Sequence, residues 1–284
     1  MSFYPGVNEG VVAVGGIEVK YYDTGNALDG RVPIVLLHGT GGSAQNNFWA
    51  LFPMLSFRHR VIALDFVDDI PAAYGPLDVN HFASQAEEVI RHLAPGQSVN
   101  LVGYSLGAVV AAVVAADHPE LVESLVLVAG WIKTDVQQEL RNRLWHQLNE
   151  IAPAALGAFM TLTAFSSEFL ASKSKQEIDK LVSDVQNGPD RERKMKVNRT
   201  VDISDKISEI HARTLVIGCT HDQMVPIKHS QSLFGAIENA RFAQISSGHA
   251  VVHERPAELF KHIDDFTTLP AGDHAGKVLE PIHS

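Results

Sequence analysis

One serine carries the strongest chemical signal in the chain. Gly103-Tyr104-Ser105-Leu106-Gly107 fits G-x-S-x-G, with an apolar run before it (VNLVGY, 99–104) and a small-residue segment after it (LGAVVAAVVAA, 106–116). A strand-to-helix turn of this kind reverses the backbone sharply and holds the serine in a strained conformation. Gly103 and Gly107 are then required where a side chain would meet neighbouring strands or the helix. Ser105 is expected at the carboxyl end of the strand, exposed, beside the positive dipole end of the helix, which favours a developing negative charge.

A serine hydroxyl is a poor nucleophile near neutral pH and needs a base in hydrogen-bond reach, itself oriented by an acid. Ser246-Ser247-Gly248-His249 follows the last apolar run, and the glycine frees a loop that can bring an imidazole over the sheet edge, so His249 is the candidate base. Thr220-His221-Asp222 follows TLVIG in a loop closed by Val225-Pro226, and a carboxylate there can reach the far ring nitrogen of His249. Asp222 is the candidate orienting acid. The rival position, after the run at 122–129, offers Ala129, Gly130 and Trp131, with Asp135 further on.

The tetrahedral intermediate of acyl transfer needs two preorganised donors, each worth ~3 kcal/mol by precedent. His38-Gly39-Thr40-Gly41-Gly42 follows VPIVLL, and Gly39 and Gly41 let peptide N–H groups turn toward a reaction centre. The amides of Thr40 and Leu106 are the expected oxyanion hole, with His38 bracing the loop rather than performing chemistry. No phosphate-loop pattern is present. His249 and His253 stand four apart, but the spacing lacks the glutamate of H-E-x-x-H and the glycine before His249 suits a loop, so no metal site is read here. The single cysteine, Cys219, ends an apolar run and is expected to be a buried thiol.

These residues need a scaffold. Short β-branched runs alternate with helical patterns, which predicts an α/β fold: a mostly parallel sheet with helices on both faces. VVAVGG and IEVKYY, parted by Gly15-Gly16, predict an antiparallel hairpin at one edge; strands follow at 32–37, 60–65, 99–104, 122–129, 214–218 and 241–246. Helices are expected at 81–94, with Phe82, Ala86, Val89, Ile90 and Leu93 on one stripe, and at 106–116, 229–238 and 254–267. The segment at 106–116 is apolar all round, so it is the helix most enclosed by the fold. Residues 1–130 and 212–268 form the core and 131–211 an inserted helical cap, whose aromatics, Trp131, Trp145, Phe159, Phe165 and Phe169, are expected mainly to pack internally. Its charge run at 190–196 is read as a solvated helix face, and 269–284 as a loose tail.

The 284 residues are 45% hydrophobic and 20% charged, an ordinary globular composition, and the net charge of −10 argues against nucleic acid and anionic lipid as partners. No apolar stretch reaches a membrane-spanning length and the start lacks a signal-peptide pattern. A cytoplasmic protein acting on a small molecule is expected, with a homodimer the one protein assembly left open.

Together HGTGG, GYSLG, the HD of THDQMVP and GH followed by ERPAEL resemble the α/β-hydrolase fold family, over nearly the whole chain outside the cap. The resemblance implies a core sheet of about eight strands, a variable cap after the sixth, and a Ser105–Asp222–His249 triad that needs no metal or organic cofactor. The chain departs from many relatives after Asp65, where FVDDIPAAYGPLD replaces an Arg-Gly-His-Gly-like stretch. The expected reaction is cleavage of a small, mainly apolar ester, lactone or thioester through an acyl-enzyme on Ser105. Acyl transfer and carbon–carbon bond hydrolysis use the same triad, and a non-catalytic binding protein of the same shape is the alternative of another class.

Overall fold

A computed structural model describes residues 5–25, 30–185, 189–269 and 274–282. The apolar runs become eight strands: β1 (Asn8–Val14), β2 (Ile17–Asp23), β3 (Ile34–Leu37), β4 (Val61–Leu64), β5 (Val99–Tyr104), β6 (Val122–Val128), β7 (Arg213–Cys219) and β8 (Ala240–Ile245). They form one sheet in the order β1-β2-β4-β3-β5-β6-β7-β8. The β1–β2 hairpin lies at one edge and pairs antiparallel with β4 through β2; every other pairing is parallel.

Strands buried on both faces need helices above and below. Along β3, Val35 and Leu37 pack into one apolar layer while Ile34 and Leu36 pack into the other, the two-residue alternation of a strand. Four helices precede β6: α1 (Ala44–Phe48), α2 (Leu51–Ser56), α3 (Val79–Leu93) and α4 (Leu106–Asp117). The first layer is closed by α3 and α4, the second by Phe48 and Phe52 from α1 and α2. Helix α3 buries Phe82, Ala86, Val89 and Ile90 and is capped at Asp78 by a reciprocal bond with His81, so that it starts at Val79, two residues before the start expected from its apolar stripe. Helix α4 buries every residue from Leu106 to Ala115, as its uniform apolarity requires.

Five helices lie between β6 and β7: α5 (Val136–Ile151), α6 (Pro153–Ala164), α7 (Ser167–Ala171), α8 (Lys175–Ser183) and α9 (Pro189–Thr200). The chain enters and leaves this insertion through a narrow neck, where Thr134 N–H bonds Val201 C=O and Ile203 N–H bonds Ile132 C=O, both at 3.0 Å. A small core of its own, Trp145, Leu156 and Met195, holds the insertion together. Then come α10 (Lys228–Ala236), α11 (Val251–Glu254) and α12 (Pro256–Thr268); Val251, Leu259 and Ile263 complete the second layer.

The far end of the chain corrects the expectation of a loose tail. Phe242 N–H bonds Lys277 C=O at 2.9 Å and Leu279 N–H bonds Phe242 C=O at 2.7 Å, so this stretch pairs with the outer edge of β8. An edge strand presents unpaired backbone groups, and this segment satisfies them. Residues 270–273 and 283–284 of the same expectation lie outside the described residues. Among the described residues no helix is long and apolar enough to cross a membrane.

Candidate active site

Strand β5 ends where α4 begins, and Ser105 is the residue between them. Its backbone sits at φ 57, ψ −119, one of two positive-φ positions outside glycine among the described residues. Non-glycine residues take such angles only where the surroundings enforce them. The enforcement is visible on both sides: Ser105 N–H bonds Val128 C=O at 2.9 Å, extending the β5–β6 ladder, and the flanking glycines leave no room to relax. A Cβ on Gly103 would lie 2.2 Å from Gly107 O, and one on Gly107 would lie 2.1 Å from Leu37 O.

The two downstream loops continue the pairing of β7 and β8. Thr220 N–H bonds Ile245 C=O and His221 N–H bonds Ser247 C=O, each at 3.0 Å, which sets Asp222 and His249 in register. Asp222 has a fully buried side chain. Its Oδ1 accepts the N–H groups of Met224 and Val225, both at 2.8 Å, and its Oδ2 faces His249 Nδ1 at 2.7 Å. An acceptor-only carboxylate there places the imidazole proton on Nδ1. Nε2 is then free to accept from Ser105 Oγ, 2.9 Å away. The structure thus brings Ser105, His249 and Asp222 into one chain of contacts.

The glycine turn after β3 stands beside the serine. Gly42 N–H bonds Gly39 C=O at 3.3 Å, which makes Thr40 the second residue of a turn whose closing bond does not use its own N–H. Leu106 begins α4, and the first N–H groups of a helix have no acceptor within it. His38 braces this turn. Its Nε2 accepts from Phe66 N–H at 3.0 Å, which puts the proton on Nδ1, and Nδ1–H donates to Gly39 C=O at 2.8 Å. Burial, followed by the charge of Lys194, holds the His38 pKa down to about 4, so the ring is neutral. Gly41 approaches the insertion closely: a Cβ there would lie 2.1 Å from Arg191 Nη2.

After Asp65 the unusual FVDDIP segment is pinned on three sides. Phe66 N–H bonds His38, Val67 exchanges two bonds with the Gln85 side chain, and Asp68 accepts from Arg193 Nη2 at 3.1 Å. The last contact comes from α9, so the departure from the usual motif coincides with a tie to the insertion.

A cavity of about 1090 Å³ lies above Ser105 and His249, between the carboxyl ends of the strands and the insertion. Of the insertion's aromatics, Trp145 and Phe159 pack internally, while Trp131, Phe165 and Phe169 line this cavity. The charge run at 190–196 is not a solvated face. Lys194 is buried, and Arg191, Met195 and Asn198 line the cavity, on the i, i+4, i+7 stripe of α9, while Glu192 pairs with Lys196 at 3.0 Å. Sequence reasoning equated charge with solvent, whereas this helix faces a cavity. The lone apolar Met195, with Arg191 one turn before and Asn198 one turn after, was the available sign.

Two supports of His249 also escaped the sequence. Tyr104 donates its hydroxyl to the His249 C=O at 3.0 Å, and burial, with Asp222 nearby, raises its pKa well above the usual phenol value, so it stays a donor. Glu254 accepts from Gly248 N–H at 3.0 Å, Ser166 N–H at 2.8 Å and Ser166 Oγ at 2.6 Å, stapling the histidine loop to the insertion. Gly248 is needed for clearance rather than loop freedom, since a Cβ would lie 2.6 Å from Ala164 O and Ser166 N. His253 lines the same cavity and its Nδ1 accepts from Trp49 Nε1 at 2.9 Å, and Cys219 is buried at the end of β7.

Comparison with known proteins agrees with this architecture. The family model described as alpha/beta hydrolase fold matches residues 32–256. A pyrrolizixenacetamide deacetylase of Xenorhabdus hominickii is 32% identical over 266 residues, 90% of this chain and 96% of that protein. Among solved structures, MGS-M2, an alpha/beta hydrolase from a Medee basin deep-sea metagenome library, superposes with a TM-score of 0.82 at 20% identity, covering 93% of this chain and 99% of that one. The enol-lactonase of Burkholderia xenovorans LB400 gives 0.75 at 20% identity, covering 92% and 100%. The chain belongs to the α/β-hydrolase fold family and is an enzyme of that family.

Proposed function

We propose that the protein is a serine hydrolase that cleaves a small, mainly apolar ester, lactone, thioester or amide-type substrate through an acyl-enzyme on Ser105. The observation that carries this reading is the contact chain Asp222 Oδ2–His249 Nδ1 at 2.7 Å and His249 Nε2–Ser105 Oγ at 2.9 Å, seated on a strained elbow. The relative of Xenorhabdus hominickii, named a deacetylase of an acetamide, supports including amide-type carbonyls.

In the first half of the cycle His249 Nε2 takes the Ser105 proton as Oγ attacks the substrate carbonyl carbon. The C=O π pair moves onto oxygen, and the amides of Thr40 and Leu106 receive that oxyanion. His249 then returns its proton to the leaving group as the bond to it breaks. Water, deprotonated by the same imidazole, attacks the acyl carbon, and collapse releases the acid and restores Ser105. Asp222, held by three donors, keeps the proton on Nδ1 and stabilises the imidazolium. The insertion acts as a cap: Trp131, Phe165 and Phe169 exclude water from the cavity, which strengthens the electrostatics within it.

Hydrolysis of 4-nitrophenyl butyrate by the wild type and by Ser105→Ala tests the proposal. The variant is expected to fold and to lose about 10⁴-fold or more in kcat. Unchanged turnover in Ser105→Ala would overturn it.

A further inference from the structure

The insertion holds two arginines, Arg141 and Arg191, in the wall of the cavity. Arg141, on α5, donates from Nη2 to Asn142 Oδ1 at 3.0 Å, while its Nε and Nη1 are buried without a hydrogen-bond partner. Arg191, on α9, donates from Nη2 to Gly41 C=O at 2.9 Å, and its Nε is likewise buried without a partner. Neither guanidinium pairs with a carboxylate among the described residues. Of the carboxylates lining the same cavity, Glu177 is engaged by the Ser174 N–H and hydroxyl, and Asp184 forms no ion pair with either arginine.

Desolvation lowers the pKa of Arg141 to about 10, Asp222 acts against that fall, and Arg191 adds to it. Two partly buried cations therefore line one cavity and oppose each other's charge. A charge withdrawn from water without a partner destabilises a fold, and apolar residues of similar volume do not carry that cost. A bound anion supplies the missing compensation, and the planar guanidinium fork matches a carboxylate in particular. The location fits a substrate group. Arg191 rests on Gly41, the neighbour of Thr40 in the turn beside Ser105, and Asn198 Nδ2 donates to Thr40 Oγ1 at 2.8 Å from the same stripe of α9. Two further polar atoms with no partner, Asn198 Oδ1 and Thr161 Oγ1, belong to residues lining this cavity.

We propose that Arg141 and Arg191 form a carboxylate-binding subsite, so that the natural substrate carries a free carboxylate in addition to the carbonyl attacked by Ser105. This deepens the reading above and rests on it for the reaction, though not for the binding. The subsite acts on specificity: it holds the charged end while Met195, Phe165 and Phe169 contact the apolar part.

Two matched ester pairs test it: the 4-nitrophenyl half-ester of adipate against 4-nitrophenyl methyl adipate, and 4-acetoxybenzoate against its methyl ester. In at least one pair the charged member is expected to have a kcat/KM higher by about tenfold or more, and that ratio to fall to about one in Arg141→Gln and in Arg191→Gln. No preference for charge in either pair, or a preference that survives both substitutions, overturns the subsite. Should a glutamine variant fail to fold, Arg141→Lys and Arg191→Lys keep the charge without the fork and are expected to give intermediate ratios; undiminished ratios count against the proposal. Binding is read separately from catalysis by the melting temperature of Ser105→Ala with adipate or with adipamide. Adipate alone is expected to raise it, and to lose that effect when Arg141→Gln is added. Failure of every ester to turn over would sink the nucleophile while leaving the adipate shift to decide the subsite. Stabilisation by inorganic phosphate and not by adipate would overturn the assignment to a carboxylate.

Discussion

The carboxyl edge of the sheet and the helical insertion above it face the same cavity, yet they are built by opposite rules. At the sheet edge, backbone ladders fix everything: Ser105 continues β5 against β6, and the Asp222 and His249 loops continue β7 against β8. Polar side chains there have their hydrogen bonds filled by the protein itself, as Asp222 shows with three donors. In the insertion, Arg141, Arg191 and Asn198 are turned inward with polar atoms left without partners. This contrast matches the proposed division of roles, reaction at the sheet edge and recognition in the insertion.

Glycine substitutions break this comparison most severely. Gly107→Ala places a Cβ 2.1 Å from Leu37 O in the middle of the core, and no soluble folded protein is expected on expression. Gly248→Ala places one 2.6 Å from Ala164 O, at the seam between histidine loop and insertion, and displaces only the seam. That variant is expected to give a cooperative thermal transition but to lose about 100-fold in kcat, since misplacement of a catalytic group by about 1 Å has that effect. Equal stability losses in the two would remove the distinction between a rigid edge and an adjustable roof.

Acid pH sharpens it to a smaller degree. Burial holds His38, under the glycine turn after β3, and His262, on α12, at pKa values of about 4, against 6.5 when exposed. Both are bases whose folded pKa is depressed, so the unfolded chain binds more protons between these values. Their contribution is complete above pH 6.5 and is lost as pH falls toward 4, by roughly 3 kcal/mol for His38 alone. The urea midpoint is expected to decline steadily from pH 7 to pH 4.5. A flat profile would contradict the neutral, buried state of these rings.

How much was legible follows from the same contrast. G-x-S-x-G, the histidine after β8 and the aspartate after β7 could be read because each follows an apolar strand and a change of residue type that marks where the chain must turn. The eight strands were legible for the same reason, with ends shifted by up to three residues. Tyr104 and Glu254 were not, because their partners are backbone groups of His249, Gly248 and Ser166, distant in sequence and silent in composition. The run DRERKMK was misread because apolarity is the usual mark of a buried helix face, and α9 turns Arg191 and Asn198 toward a cavity. The pairing of Lys277 and Leu279 with β8 carried no periodic signal, being too short to show one.

The most direct measurement is the rate and site of labelling by a fluorophosphonate, followed by intact-protein mass and peptide mapping. Rapid one-to-one modification at Ser105 is expected in the wild type, and labelling slowed by orders of magnitude in a folded His249→Ala, as activation of the serine through that imidazole requires. Labelling elsewhere in the chain, or an equal rate in His249→Ala, would contradict it.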